Sequence, residues 1–154
     1  MPIDAPRSRF IDDYLSYLLA RASHAVHKEF ERSVNAAGLS SLEWRVLAAL
    51  SDGAGMTIGE LAREVLAKQP TLTKQVQRMA EAGWVNCRAD HGDARRTVVF
   101  ATARGRRTIA KLMQAAKAHE RDVLSHCSAD EVETLKATLR KIVERSGSAP
   151  TASQ

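Results

Sequence analysis

The chain has 154 residues, one domain's length, with 44% apolar and 27% charged residues and a net charge of +5. This composition excludes collagen-like, low-complexity and wholly disordered classes, no apolar run reaches the ~18 residues of a membrane span, and Met1-Pro2-Ile3-Asp4 does not open a secretory signal. Cys87 and Cys127 are too few for a disulfide framework, and both are expected as small buried or half-buried residues in a reducing cytoplasm.

Residues 8–36 read as one long helix, because Ile11, Leu15, Leu18, Leu19, Ala22, Val26 and Phe30 recur near helical spacing and Gly38 follows as a stop. Ser40-Ser41-Leu42-Glu43 is a capping box that opens a second helix with Val46, Leu47 and Leu50 inward. Thr57-Ile58-Gly59-Glu60 is another, opening a short third helix over Leu61, Ala62 and Val65. A break at 66–69 precedes Pro70, which suits a first helical turn because its missing N–H has no partner there. The helix from Pro70 to Gly83 turns Leu72, Val76 and Met79 inward. The period then changes: 84–88 and 97–101 read as two strands of a hairpin around the polar loop 89–96. Thr102 can cap a long helix from 103 to about 126. Ser128-Ala129-Asp130-Glu131 is a third capping box, and Val132, Leu135, Leu139 and Ile142 form the seam of a last helix. The expected fold is mainly α, with a two-stranded hairpin and long helices at both ends.

The charge is unevenly placed. Residues 56–107 hold ten basic and five acidic residues, and the remainder balances at thirteen of each. All of the excess therefore sits in the central third, which suits a polyanion such as nucleic acid. The helix from Pro70 presents Pro70, Thr71, Thr73, Lys74, Gln77 and Arg78 opposite its apolar face. Threonine meets phosphate or a thymine methyl, glutamine pairs with adenine, and Lys74 and Arg78 suit phosphate or guanine. In the loop, Asp93-Ala94-Arg95-Arg96 puts two guanidinium groups where a minor groove would attract them, with Asp93 spaced to hold the Arg95 side chain by a charge-assisted bond. The expected DNA-contact set is Thr57, Lys68, Pro70, Thr71, Thr73, Lys74, Gln77, Arg78, Asp93, Arg95 and Arg96.

These motifs, in this order, resemble the multiple-antibiotic-resistance regulator (MarR) family of bacterial winged helix-turn-helix proteins. The resemblance is carried by 39–47, Thr57-Ile58-Gly59-Glu60-Leu61-Ala62, 71–79, Glu81-Ala82-Gly83-Trp84-Val85, Asp93-Ala94-Arg95-Arg96 and Thr102-Ala103-Arg104-Gly105, and it covers about 39–112 closely. Two features depart from the family pattern: Leu66-Ala67 stands in place of a glycine-containing turn, and Pro70 in place of a small hydroxyl residue.

The resemblance implies N-terminal and C-terminal dimerisation helices at 1–38 and 103–146, a winged helix-turn-helix lobe at 39–102, and a flexible tail at 147–154. It implies a cytoplasmic homodimeric repressor on a pseudo-palindromic double-stranded DNA operator, released by a small effector of the aromatic-acid kind. Tyr14, Tyr17, His24, His27, Trp44 and Arg45 are the candidate ligand residues, tyrosine and tryptophan for their amphipathic rings and arginine for a carboxylate. No catalytic constellation stands out, and no enzyme activity, metal, cofactor or membrane partner is expected. The alternatives are a redox- or metal-sensing regulator of the same fold, or a helical protein-interaction module.

Overall fold

The computed structural model describes residues 9–147, in two compact units, Met1–Lys117 and Ala118–Gln154. The elements in chain order are α1 (Phe10–Asp13), α2 (Leu15–Ala36), α3 (Ser41–Ala49), β1 (Met56–Thr57), α4 (Ile58–Glu64), α5 (Gln69–Glu81), β2 (Val85–Ala89), β3 (Thr97–Ala101), α6 (Ala103–Val123) and α7 (Ala129–Gly147).

In the first unit, the long N-terminal helix is interrupted. Tyr14 is extended (φ −81°, ψ 118°), closing α1 and standing as N-cap of α2. One extended residue leaves the apolar spacing on either side intact, so periodicity does not register the break. The capping boxes form as their spacing dictates. The Ser40 N–H donates to Glu43 Oε2 at 2.7 Å and the Glu43 N–H to Ser40 Oγ at 3.3 Å. Thr57 and Glu60 repeat the pattern at 2.9 and 3.3 Å.

The hairpin gains a third strand absent from the sequence reading. β1 pairs with β3, giving the antiparallel order β1-β3-β2, with Met56 opposite Val99 and Val85 opposite Ala101. Two residues are too short for an alternating pattern, and only β3 tells them to be a strand. Gly55 allows that approach: its φ is +74°, and a Cβ there would lie 2.4 Å from the Phe100 ring. β2 runs one residue later than expected and includes Ala89, and α5 begins at Gln69, so Pro70 takes the second helical position.

Leu47, Leu50, Leu61, Leu72, Met79 and Val99 are fully buried at the centre of this unit, joined by Ile109 from α6. Gly105 brings α6 against this core, where a Cβ would meet the Trp84 carbonyl oxygen at 2.4 Å. Leu72, Val76 and Met79 seat α5 on the same core.

In the second unit, α6 ends at Val123, a few residues short of the expected 126, because the chain turns through 124–127 on short-range backbone bonds such as Cys127 N–H to the Leu124 carbonyl. The Ser128 N–H donates to Glu131 Oε2 at 2.7 Å, opening α7, and Lys136 pairs with Glu120. Gly147 ends α7; the rest of the expected tail, 148–154, lies outside the described residues.

Candidate nucleic-acid interface

α5 carries the helical-wheel division into space. Leu72, Val76 and Met79 are buried, while Pro70, Thr71, Thr73, Lys74, Gln77 and Arg78 are exposed. Lys68 is its N-cap and makes no side-chain cap bond, so the first N–H groups of α5 keep the partial positive charge of a helix start. Thr73 Oγ1 donates to the Gln69 carbonyl at 2.9 Å, leaving its oxygen free to accept. A groove of about 280 Å³ along α5 is lined by Pro70, Thr71, Lys74, Gln75 and Arg78.

The wing closes on itself through its aspartates. The Asp90 N–H donates to the Arg96 carbonyl at 2.8 Å, and the Arg96 N–H to the Asp93 carbonyl at 2.9 Å. Asp93 Oδ1 accepts the Arg95 backbone N–H at 3.0 Å. This corrects the expected bond to the Arg95 guanidinium: two residues apart in a turn, the aspartate reaches the backbone first. Arg95 and Arg96 are exposed.

A cleft of about 390 Å³ joins these parts, lined by Thr57, Gly59, Gln69, Thr73, Arg95 and Arg96 among others. Wing, α4 start and α5 thus share one face. Thr57 serves that face structurally, since its Oγ1 donates to Glu60 Oε2 at 2.7 Å. The bonds from Thr57 hold the Glu60 carboxyl below the usual range, with smaller help from Arg96 and Arg63.

Part of the central positive charge is spent internally. Arg104 Nη1 donates to the Ala82 carbonyl at 2.7 Å while its guanidinium lies 3.9 Å from the Trp84 ring centroid. Arg106 Nη1 donates to the Ala101 carbonyl at 2.8 Å. Arg88 stacks over Phe100 at 5.3 Å. The partners of Arg104 and Arg88 are distant in sequence or across the hairpin, and that of Arg106 is a backbone carbonyl five residues back, so a charge count cannot reveal them.

The candidate ligand residues fall into separate groups. Tyr14 stacks on Phe10 at 4.9 Å and lies 6.5 Å from Tyr17. His24 is exposed, and His27 Nε2 lies 3.0 Å from Ser41 Oγ. Trp44 meets Phe30 edge-on at 5.4 Å. Arg45 Nη1 donates to the Val65 carbonyl at 2.7 Å and its Nε to the Ser41 carbonyl at 3.4 Å. Gln75 was missed: its Nε2 donates to Glu43 Oε1 at 2.9 Å, a pairing no local spacing signals.

Both cysteines are exposed, against expectation. Cys87 lies on the same face of β2 as buried Val85, but every residue of the strand after Val85 is exposed, and Cys127 lies in the α6–α7 turn. Partial burial still pushes the Cys87 thiol up, away from the low-pKa thiolate that peroxide sensing needs. Among the described residues, no three His, Cys, Asp or Glu side chains gather as a metal cage, and no helix is long and apolar enough to cross a membrane.

Comparison with known proteins points the same way. The sequence pattern of the MarR family matches residues 37–96. The chain is 33% identical over 134 residues to the transcriptional activatory protein BadR of Rhodopseudomonas palustris, covering 84% of this chain and 77% of that protein. It is 31% identical over 106 residues to the HTH-type transcriptional repressor IacR of Pseudomonas putida, covering 69% of this chain and 64% of that one. A MarR family transcriptional regulator from Silicibacter pomeroyi superposes with a TM-score of 0.78 at 36% identity, over 89% of this chain and 98% of that structure.

Proposed function

The chain belongs to the MarR family of transcriptional regulators, and from that premise we propose that it is a homodimeric, ligand-released repressor. The observation that carries the DNA-binding part is the shared face of α5 and the wing, where Lys74, Arg78, Arg95 and Arg96 are all exposed. α5 enters the major groove and reads bases through Thr71, Thr73 and Gln77, with Lys68, Lys74 and Arg78 on phosphate. Arg95 and Arg96, on the loop that Asp93 shapes, take the adjacent minor groove. Thr57 and Pro70 line the approach.

Dimerisation through 1–38 and 103–146 is supported by apolar side chains left uncovered on the single chain. Phe10, Leu15 and Leu18 are exposed near the N-terminus, as are Leu135 and Val143 on α7. The same arrangement bears on the effector. Tyr17 and Phe30, which supports Trp44, are about 20 Å apart along α2 at 1.5 Å per residue. A pocket using Tyr14, Tyr17 and His24 together with Trp44 and Arg45 therefore draws on two subunits. A flat aromatic acid suits such a lining. Bound there, it favours a dimer with the wrong lobe spacing and releases the operator. The protein acts in the cytoplasm, on DNA rather than as an enzyme. A second reading, activation, is favoured by the likeness to the activatory protein BadR.

The test is binding to the DNA upstream of the chain's own gene against a scrambled duplex, across a salt series. Tight, selective binding with a steep negative salt slope is expected; equal binding to both duplexes refutes the regulator reading. Arg95→Ala should weaken binding to every sequence and reduce the salt slope by about one. Wild-type affinity in that variant would remove the wing from the interface.

A further inference from the structure

We propose that Glu43 and Arg45, two residues apart on α3, are positioning residues that hold α5 at the angle the major groove requires. The inference rests on the DNA-binding reading above. It adds Glu43, and gives Arg45 a second role beside the proposed effector pocket; both act on DNA through the helix they hold.

Glu43 uses both carboxylate oxygens. Oε2 accepts the Ser40 N–H at 2.7 Å, which closes the capping box of α3. Oε1 accepts Gln75 Nε2 at 2.9 Å, across 32 residues of sequence and in half-buried surroundings. Gln75 sits in the middle of α5, next to Lys74 and two residues before Gln77. A carboxylate beside a helix meant for polyanionic DNA is unfavourable unless its charge is taken up by donors, and here each oxygen has one.

Arg45 works at the turn before α5. Its Nη1 donates at 2.7 Å to the carbonyl of Val65, the C-cap of α4, where helix carbonyls carry partial negative charge. The next residue, Leu66, has φ +55°, a left-handed conformation that L side chains adopt only when their surroundings impose it. Leu66 is 86% exposed, so its side chain contributes almost no packing in return. What holds the turn is the bond from Ala67 N–H to the Ala62 carbonyl at 2.9 Å, the longer one from Leu66 N–H to Arg63, and the Arg45 guanidinium.

α3 therefore holds α5 at its middle and at the turn that precedes it. Trp44, between the two, rests on Phe30 of α2. A shift of α3 against α2 is passed to α5 through Glu43 and Arg45, which links the proposed effector residues to the DNA-reading helix.

The experiment uses the full chain and an operator duplex enriched by the wild-type protein from a random-sequence library. Gln75→Ala and Glu43→Ala should each weaken operator binding by roughly tenfold, and the double variant should lose no more than either alone. Glu43→Gln, which keeps an acceptor oxygen, should recover most of the loss. Gln75→Ala should lower the thermal midpoint only modestly, since the better helix propensity of alanine offsets part of the lost half-buried bond, and should leave affinity for a non-specific duplex unaltered. Arg45→Gln should speed amide exchange at Leu66 and Ala67 while Ile109 stays protected. Additive losses in the double variant overturn the proposal, because Gln75 would then contact DNA itself. Wild-type operator affinity in Gln75→Ala also overturns it. Failure of the wild type to enrich any sequence is a different result, and refutes the DNA-binding reading on which the proposal stands.

Discussion

The two ends of α5 are closed by the same backbone motif and secured in opposite ways. After α5, Trp84 N–H reaches the Met79 carbonyl at 2.8 Å and Gly83 takes φ +78°, a conformation glycine adopts freely. That turn is held from the head of α6. Thr102 Oγ1 meets the Gly83 carbonyl at 2.7 Å, Arg104 Nη1 meets Ala82, and Gly105 lets the α6 backbone press on Trp84. Before α5, Ala67 N–H reaches the Ala62 carbonyl in the same pattern, but the left-handed residue is Leu66 and Arg45 is its side-chain support. The helix is thus fixed at its trailing end and strained at its leading end, the end proposed to enter the groove. The proposed repositioning of α5 by an effector would use such a pivot.

Gly105→Ala attacks the fixed end and should have the largest effect. The new Cβ would lie 2.4 Å from the Trp84 carbonyl oxygen, which is backbone, and 3.1 Å from Leu47 Cδ2, a methyl of a fully buried side chain. Overpacking of this kind costs about 1–3 kcal/mol, measurable by urea denaturation. An unchanged midpoint would mean that α6 can back away, and that the trailing end is no firmer than the leading one.

Leu66→Gly relaxes the strained end. Release of about 1–2 kcal/mol of left-handed strain, less about 0.5–1 kcal/mol of added unfolded-state freedom, should raise stability by roughly 0.5–1 kcal/mol. A drop in stability would show that the exposed leucine is covered in the working assembly and that the turn is not strained in the sense argued.

Acid titration probes α4, which leads into that turn. The Thr57 bonds depress the Glu60 carboxyl in the folded state. Its contribution is therefore complete above the ordinary glutamate range and lost as pH falls through the lowered folded value. Glu60→Gln should lower the neutral plateau by a small amount and converge on the wild type in acid, so that the acid limb flattens by the same amount. An acid limb as steep as the wild type's would remove Glu60 from the account.

Much of this molecule was legible because its signals are local. Ser40 with Glu43, Thr57 with Glu60 and Ser128 with Glu131 each act within one helical turn, so three-residue spacing reveals them. The inward face of α5, the outward face proposed to read DNA, and the Arg95-Arg96 loop follow from periodicity and composition in the same way. The Leu66 departure was visible as a missing glycine, although its left-handed conformation was not.

The structure alone decided what depends on residues far apart in sequence. A one-residue break at Tyr14 leaves periodicity untouched, and a two-residue β1 exists only because β3 lies beside it. Arg104 counts as surplus charge in the sequence and bonds a carbonyl 22 residues away in the fold. Glu43 was legible as a cap through one oxygen, while its other oxygen meets Gln75 across 32 residues. The physical reason is the same throughout. Hydrogen bonds within one turn are dictated by the chain's own geometry, whereas bonds between elements exist only after the apolar core has set those elements side by side.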